Sequence, residues 1–378
     1  MNRRLFLKTT GIALAGTALT PPVFAKMAAA GTTRGKKTLV VVFQRGAVDG
    51  LNVIVPYGER AYYAARPSIG IAKGEVLDLD GFFGAHPSLQ SLLPFWKDRS
   101  LAVVHAAGSP DATRSHFDAQ DFMESGTPGV KSTADGFLTR ALATRKRDDA
   151  LRAVALSQTP PRILAGSSAI ATVDIHAYAN SPAATVFGSM YPESFEAVRV
   201  LRSISGKNEA EYSRAPLASA LKQIAQLIKS DVGLEVAFAD VSGWDTHAGE
   251  GGTQGQLANN LRNFAEAIAA FAKDLGSRMS DVVLVTTSEF GRTVRENGNR
   301  GTDHGHATVM LALGGNVRGG KVHGRWPGLA GGQLFENRDL AVTTDFRDVF
   351  GEVLTKHLGV PSLATVFPRH AGREVGLL

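Results

Sequence analysis

Residues 281–308, DVVLVTTSEFGRTVRENGNRGTDHGHAT, decide the fold that this sequence predicts. The stretch opens with an apolar, β-branched run at residues 282–287, which is typical of a buried strand. A loop rich in glycine, asparagine and arginine follows, and a second apolar run comes after it at residues 309–313. Acidic residues and histidines lie between the two runs, and the carboxyl ends of strands are where α/β proteins build their sites. The stretch therefore predicts half of a metal centre at the edge of a sheet.

Strand-like and helical runs alternate along the rest of the chain. Residues 38–43 (TLVVVF), 101–105 (LAVVH) and 235–240 (EVAFAD) have the composition of buried strands. Residues 215–230 and 256–275 repeat apolar side chains at helical spacing. This alternation predicts an α/β fold, a three-layer α/β/α sandwich with a mostly parallel central sheet.

The C-terminal part of the chain adds one more helix to this prediction. Residues 344–358 (TDFRDVFGEVLTKHL) predict a capped helix with Thr344 as its N-cap and Asp345 in the first turn. We find no internal repeat and no polar linker long enough to divide the chain. The sequence therefore predicts a single domain over residues 38–378.

Residues 1–25 have the features of an export signal. The basic residues Arg3, Arg4 and Lys8 come first, and a short apolar stretch and a small-residue cleavage pattern follow. The run NRRLFLK at residues 2–8 resembles the twin-arginine signal; the alternative is an ordinary secretory signal that carries two arginines. We therefore expect the twin-arginine export machinery as a partner, and a periplasmic or secreted protein.

The remaining chain is expected to begin with a short linker over residues 26–37 and to have no stable membrane span, since the apolar stretch of the signal is too short to cross a bilayer as a helix. The whole chain has a net charge of +6, of which residues 1–25 supply three positive charges and no negative ones. With no long block of lysine and arginine, nucleic-acid binding is not expected. The chain contains no cysteine, which excludes disulfides and thiolate metal sites.

Two of the predicted strands are followed by loops with candidate catalytic or ligand residues. Asp49 follows residues 38–43 and is either part of an Asp-Gly turn or a carboxylate ligand. Thr113 and Ser115 follow residues 101–105, near the start of a predicted helix. A hydroxyl there is commonly an N-cap, but the same place also suits a nucleophile that a metal or base activates. Arg114 is a candidate for binding a tetrahedral oxyanion.

Two further loops carry the candidate metal ligands. Asp245 and His247 follow residues 235–240 and are separated by one residue, so both can point to one metal, and Trp244 is expected to wall the pocket. The opening stretch contributes Asp303, His304 and His306. A set made of Asp245, His247 and either His304 or His306 suits zinc or another divalent transition metal.

Six motifs together resemble the domain-of-unknown-function family 1501, whose members are typically exported by the twin-arginine route. They are VVVFQRGAVDGLNVIVPY (40–57), TRSHFDAQDFMESG (113–126), GWDTH (243–247), TSEFGRT (287–293), GTDHGHA (301–307) and TTDFRDVF (343–350). That family is in turn similar to the alkaline phosphatase superfamily of phosphatases, phosphodiesterases, phosphomutases and sulfatases. The resemblance implies an alkaline-phosphatase-like sandwich. It also implies Asp49 as the early aspartate and Ser115, in preference to Thr113, as the nucleophile.

The same resemblance implies roles for the later loops. Asp245 and His247 match the Asp–His pair, His304 or His306 matches the late histidine, and Glu289 takes the place of the aspartate in an Asp-His-Gly motif. Phe290 stands where the superfamily has a histidine for a second metal, so that second site lacks an imidazole or is absent.

From these features we expect an exported, metal-dependent hydrolase or transferase that acts on a phosphate or sulfate ester of a small molecule or polysaccharide. The cofactor is expected to be a divalent metal, zinc or manganese, with Ser115 as nucleophile and Arg114 or Arg292 on the oxyanion. Glu289 and Asp49 are candidates for a second, weaker ion such as magnesium or calcium.

Two alternatives remain open at this point. One is a non-catalytic envelope protein of the same fold that binds a metal or an anion, which the substitution at Phe290 favours. The other is a fold without metal, in which the polar loop residues form a hydrogen-bonded network.

Overall fold

A large mixed sheet forms the centre of the molecule. The structure is a computed structural model that describes residues 37–145, 151–167, 169–181, 192–204 and 208–378, so the predicted signal and most of the predicted linker fall outside the described residues. The strands are β1 (Thr38–Gln44), β2 (Ile54–Val55), β3 (Leu77–Asp78), β4 (Gly84–Ala85), β5 (Leu101–Gly108), β6 (Ala153–Leu156), β7 (Ile170–Thr172), β8 (Val236–Val241), β9 (Val282–Thr287), β10 (Thr308–Gly314), β11 (Val322–His323) and β12 (Thr344–Asp345).

The order of strands in the large sheet is β11-β5-β10-β9-β1-β8-β6-β7, with β12 paired to β5. Strand β1 pairs in parallel with β8 on one side and with β9 on the other. Strand β10 is antiparallel to both of its neighbours, β9 and β5. The other pairs in this sheet are parallel, so the mostly parallel sheet is confirmed. Strands β2, β3 and β4 form a separate small antiparallel sheet.

Helices cover both faces of the large sheet. They are α1 (Gly50–Val53), α2 (Arg60–Ala65), α3 (Leu93–Lys97), α4 (His116–Ser125), α5 (Phe137–Ala143), α6 (Ile175–Ala179), α7 (Pro192–Ser203), α8 (Pro216–Lys229), α9 (Gln256–Leu275) and α10 (Phe346–Lys356), with 3-10 turns at Pro87–Leu92, Arg162–Leu164 and Gly276–Asp281. Within the described segments, none of the helices is both long enough and apolar enough to cross a membrane.

The two core clusters show why the central strands are apolar throughout. Successive residues of a strand point to opposite faces of a sheet. In β1, Val40 and Val42 pack with residues of α8 and α9, whereas Leu39 and Val41 pack on the other face with residues of α5 and α10. Both faces are buried under helices, which confirms the predicted three-layer sandwich.

The sheet brings the predicted site loops to one edge. The carboxyl ends of β1, β5, β8 and β9 lie at this edge because these strands run in the same direction. Strand β10 runs the opposite way, so its amino end lies at the same edge and delivers the residues just before Thr308. The site is therefore built from the loops that leave four strands and the loop that enters a fifth.

One local prediction was wrong at the start of the last helix. Thr344 and Asp345 form strand β12 beside β5, and α10 begins only at Phe346. The N-cap is Asp345, whose carboxylate accepts a hydrogen bond from the backbone N–H of Arg347 at 2.9 Å. Thr344 was the expected cap, but its place in the sheet moves the helix start by one residue.

Candidate metal centre

Three imidazole rings converge at the carboxyl edge of the sheet. The Nε2 atom of His304 lies 2.9 Å from Nε2 of His116 and 2.9 Å from Nε2 of His247. His304 comes from the loop before β10, His116 opens helix α4, and His247 lies in the loop after β8. The three strands that deliver these loops are far apart in sequence, so the cluster exists only in the folded sheet.

Asp245 adds a carboxylate to the same point. Its Oδ1 atom lies 3.3 Å from Nε2 of His304 and 3.1 Å from Nε2 of His247, and its Oδ2 atom lies 3.6 Å from Nε2 of His116. The ligand atoms of His116, Asp245 and His304 all lie within 4.8 Å of one another. The side chains of Asp245 and His247 are 45% exposed, so the cluster is open to solvent on that side.

The other ring nitrogen of each histidine already has an oxygen partner. Nδ1 of His116 lies 2.8 Å from a carboxylate oxygen of Glu289, and Nδ1 of His247 lies 3.1 Å from a carboxylate oxygen of Asp303. Nδ1 of His304 lies 2.9 Å from the backbone carbonyl of Arg114. Because these partners are acceptors, we assign the ring proton of each histidine to Nδ1, which leaves a lone pair on each Nε2. Lone pairs that face each other at 2.9 Å repel unless a proton on one of the nitrogens or a metal ion lies between them.

This arrangement passes a simple test of fit for a divalent metal. Ligand atoms about 3.4 Å apart are expected around a tetrahedral ion with bonds of about 2.0–2.1 Å. The separations of 2.9–3.6 Å in the cluster bracket that value. Metal-bound histidines also usually donate their second ring N–H to a carboxylate or a backbone carbonyl, as all three do here. Imidazole with carboxylate suits zinc and other divalent transition metals.

The electrostatics keep two of these groups in their metal-binding forms. Burial lowers the pKa of His304, which favours its neutral form. Burial alone would raise the pKa of Asp245, but the hydrogen bond and positive charge of Arg292 outweigh it and lower the pKa. The hydrogen bond to Glu289 raises the pKa of His116, which makes that imidazole a more basic donor. A metal ion binds the neutral imidazole and the ionised carboxylate.

Glycines allow the loops to meet this closely. Gly46 has φ +115°, and a Cβ there would lie 2.7 Å from the backbone nitrogen of Asp245. A Cβ at Gly301 would lie 2.5 Å from the carbonyl of His247. A side chain at either position would push away the loop after β8, which carries both Asp245 and His247.

Two buried aromatic residues lie near the site, and only Phe290 packs against its histidines. Phe290 is buried, and its ring centroid lies 4.9 Å from that of His116 and 5.1 Å from that of His304. Trp244 was expected to wall the pocket, but it is fully buried in the core against Phe264. Its indole N–H donates to the carbonyl of Val241, and so Trp244 anchors the Asp245 loop instead.

Glu289 and Asp303 lie behind the histidines. Oε1 of the buried Glu289 also accepts hydrogen bonds from the backbone N–H of Gly46 at 2.8 Å and from Gln120 at 3.0 Å. The carboxylate of Asp303 also accepts from Asn297 at 3.0 Å. Both acids contact a histidine and not the converging Nε2 atoms, so their geometry is that of supporting residues. Their predicted role as direct ligands stays a prediction.

Two other candidates lie outside the cluster. Both carboxylate oxygens of Asp49 accept hydrogen bonds from the buried guanidinium of Arg66. His306 is buried against Phe335, with Nε2 3.1 Å from the carbonyl of Ser109. His304 and His306 were expected to reach a common point, but β10 takes His306 toward the core while His304 faces the cluster.

The predicted catalytic hydroxyls and arginine lie at the start of α4. Ser115 is the N-cap of this helix and is exposed, and its Oγ atom accepts from the backbone N–H of Asp118 at 3.5 Å. The Thr113 hydroxyl accepts from the backbone N–H of Ser115 at 3.2 Å. The guanidinium of Arg114 is bound to Asp339 at 2.6 Å and to Glu336 at 2.7 Å.

His116 was not among the predicted site residues, and the carboxylate partner of Arg292 was not predicted. His116 follows Ser115 directly, and a histidine beside a predicted N-cap at the end of a strand was the available signal. Arg292 was expected on a substrate oxyanion, but its side chain is buried and donates to Asp245 at 2.8 Å.

Part of this site lies in a region that matches a known family. Residues 196–366 match the DUF1501 family. Its description is a protein of unknown function, and the matched region contains Asp245, His247 and His304. The resemblance to this family is therefore confirmed over that region. None of the curated proteins matches the chain.

Several solved structures are similar to this chain at low sequence identity. The C-terminal periplasmic domain of EcEptC from Escherichia coli, in complex with zinc, is 12% identical over 75% of this chain and 74% of that chain, with a TM-score of 0.38. The PsFucS1 sulfatase from Pseudoalteromonas sp. is 10% identical over 89% and 71%, with a TM-score of 0.41. An alkaline phosphatase superfamily protein from Vibrio parahaemolyticus is 12% identical over 76% and 62%, with a TM-score of 0.37.

Proposed function

We propose that this protein is an exported, metal-dependent hydrolase or transferase that acts on a phosphate or sulfate ester. One observation carries the proposal: three Nε2 atoms and the Asp245 carboxylate converge while each Nδ1 lies beside its own acceptor. A hydrogen-bonded network without metal would instead alternate donors and acceptors at the centre. The convergence of these potential ligand atoms therefore favours a metal site over the metal-free alternative.

The metal would be held by His116, His304 and Asp245, with His247 as a further ligand. Zinc or manganese suits this donor set. When bound, such an ion supplies Lewis-acid polarisation of the ester and lowers the pKa of a hydroxyl beside it. Glu289 and Asp303 orient His116 and His247, so the rings are already placed before a metal arrives.

Ser115 is the proposed nucleophile. Its hydroxyl is exposed at the N-terminus of α4 and is adjacent in sequence to His116. In the proposed step, Oγ of Ser115 loses its proton to solvent and attacks the phosphorus or sulfur. The bond to the ester oxygen breaks, and that oxygen takes a proton from solvent and leaves as the alcohol. Water or an acceptor hydroxyl then displaces Oγ of Ser115 and completes the hydrolysis or transfer. Thr113 remains the alternative, but its hydroxyl already accepts from the Ser115 backbone, which suits a supporting role.

The N-terminus of α4 is the proposed anchor for the negative charge of the ester. The helix has ten residues, and its first backbone N–H groups and dipole favour an anion at this end. Arg114 and Arg292 are both occupied by carboxylates, which leaves neither guanidinium directed at the substrate.

A second candidate is a non-catalytic metal-binding envelope protein, and Phe290 favours it. This buried ring packs against His116 and His304. It stands at the position that the resemblance to the alkaline phosphatase superfamily gives to a histidine of a second metal site. Under both candidates we propose that residues 1–25 direct export by the twin-arginine route to the periplasm or the medium.

The test combines metal analysis with turnover. Elemental analysis of the purified protein should find close to one zinc or manganese per chain, and His116→Ala, Asp245→Asn and His304→Ala should each lose it. Aryl phosphates and aryl sulfates then serve as substrates for the loaded protein.

Two variants at Ser115 separate its chemical role from its structural one. Ser115→Ala removes the N-cap and should cost about 1 kcal/mol of stability, whereas Ser115→Asn keeps a capping side chain without a nucleophile. We expect both to lose ester turnover. Turnover that survives in both variants would exclude Ser115 as the nucleophile, and a metal-loaded wild type without turnover would favour the non-catalytic candidate.

A further inference from the structure

A large cleft opens at the same edge of the sheet as the histidine cluster. Its volume is about 1010 Å³, at the upper end of the roughly 300–1,000 Å³ that is usual for small-molecule sites. The cleft lies beyond the carboxyl ends of β1, β6 and β8, and it is lined there by Arg45, Ser157 and Asp240. Nothing in the proposed chemistry of the ester group itself uses this space.

Helix α4 joins the cleft to the cluster. His116 and Gln120 lie four residues apart and therefore on the same face of the helix. Gln120 lines the cleft, and its amide donates to Glu289 at 3.0 Å and accepts from Arg45 at 2.9 Å. Glu289 also accepts a hydrogen bond from His116. Gln120 in the wall of the cleft and His116 in the cluster therefore share one hydrogen-bond partner.

The charges that line the cleft are already neutralised. Arg45 is paired with Asp240 at 2.6 Å, and Arg162 is paired with Asp121 at 2.8 Å. These ion pairs leave the cleft without an excess of either charge. A strongly charged ligand would find no unpaired partner among these groups.

Five further polar side chains of the cleft are neutral and available. All of them are exposed to solvent, and within the described residues none of their side chains makes a hydrogen bond. They are Gln158, Thr159, Ser219, Ser242 and Asn263. Each is an amide or hydroxyl, which can both donate and accept. Val173, which is 60% exposed, adds an unusual apolar surface to the same cleft.

We propose that this cleft binds the neutral, polyhydroxylated part of the substrate, a sugar chain whose phosphate or sulfate ester reaches the histidine cluster. Amides and hydroxyls match the paired donor and acceptor character of sugar hydroxyls, and exposed Val173 suits the apolar C–H face of a sugar ring. The volume accommodates more than one ring. This inference rests on the proposed function and names the substrate class of that site.

The experiment measures binding of neutral sugars apart from catalysis. An array of neutral, unesterified oligosaccharides is probed with the wild type, and the affinity for the strongest ligand is then measured by isothermal titration calorimetry. The test variant is Asn263→Leu combined with Gln158→Leu. The matched control is Asn259→Leu, which changes an exposed asparagine of the same helix α9 that does not line the cleft.

We expect at least one neutral oligosaccharide to bind the wild type and the control equally, within twofold, and the double variant at least tenfold more weakly. The His304→Ala protein should bind it as the wild type does. The inference is overturned if none of the neutral oligosaccharides binds the wild type, or if the double variant binds with unchanged affinity. If the protein binds a sugar but turns over no ester, the proposed function fails and the cleft remains a sugar site. If it turns over an ester but binds no sugar, the proposed function stands and this inference fails.

Discussion

Replacing Glu289 by glutamine tests how the protein prepares the cluster for a metal. Oε1 of Glu289 accepts from Nδ1 of His116, the backbone N–H of Gly46 and the amide of Gln120, at 2.8, 2.8 and 3.0 Å. Oε2 lies 3.0 Å from the hydroxyl of Ser288. An amide oxygen in the place of Oε1 keeps the first three hydrogen bonds, and an amide N–H₂ can donate to the Ser288 oxygen. The substitution therefore removes the negative charge and leaves the contacts.

The expected effect follows from that charge. Loss of the group that accepts a hydrogen bond from the second ring nitrogen of a metal-bound histidine typically lowers metal affinity about 10- to 100-fold. This corresponds to about 1.4–2.7 kcal/mol of binding free energy. We expect the dissociation constant for zinc to rise by this factor in Glu289→Gln, because His116 becomes a less basic and less firmly oriented donor.

The assay is a competition titration of metal-free protein with zinc and a chromophoric chelator. Urea unfolding of the metal-free proteins measures stability separately. The matched control is Glu352→Gln. Glu352 is a similarly buried glutamate, and it accepts hydrogen bonds from the backbone N–H groups of Val375, Gly376 and Leu378 near the C-terminus.

Two outcomes would refute the reasoning. Zinc affinity within twofold of wild type in Glu289→Gln, while His304→Ala abolishes binding, would show that Glu289 does not support the metal. Equal weakening by Glu289→Gln and Glu352→Gln would show that the effect comes from folding. A loss confined to Glu289→Gln supports the assignment.

Further predictions concern stability. Burial lowers the pKa of both His105 and His357 to about 4, below the unfolded value of about 6.5, so the unfolded chain takes up protons first as the pH falls. Between pH 7.5 and pH 5 each histidine should lower the free energy of unfolding of the protein by about 2 kcal/mol. In urea titrations at several pH values, the free energy of unfolding of His105→Gln and His357→Gln should therefore fall less steeply with decreasing pH than that of the wild type. Arg66→Met leaves the buried Asp49 carboxylate without its partner and should cost about 3–5 kcal/mol. Arg278→Met, which breaks an exposed pair, should cost less than about 1 kcal/mol in the same urea assay; equal costs would contradict this.

The fold was predictable because its signals are local. The continuous apolar run of β1 marks a strand buried on both faces, and the periodic α9 begins and ends at the predicted residues. The direction of β10 was not predicted, because an apolar strand has the same pattern in either direction. Residues 288–307 contain no helical repeat, and parallel neighbours usually need a helical crossover. The missing crossover was therefore a signal for the antiparallel pairing.

The site was predictable only in part because its contacts are not local. Asp245, His247 and either His304 or His306 were named from short motifs, and the structure brings the first two together with His304. The partner of Asp49 could not be found in the same way, since Arg66 lies 17 residues away and in no motif. His116 was hidden because the first residue of a helix can face solvent or the site, and only the packing of α4 against Phe290 decides between them.

Motif comparison also could not separate ligands from supports, because both are the same residue types. The distinction lies in which atom each group touches. Glu289 and Asp303 meet an Nδ1 atom, while Asp245 meets the Nε2 atoms. Holding the rings in place without a metal means that lone pairs face one another at 2.9 Å, an arrangement that is unfavourable by itself. A proton on one Nε2 or a metal ion at the centre relieves that repulsion, and the Asp245 carboxylate among the three rings is the physical reason to expect the metal.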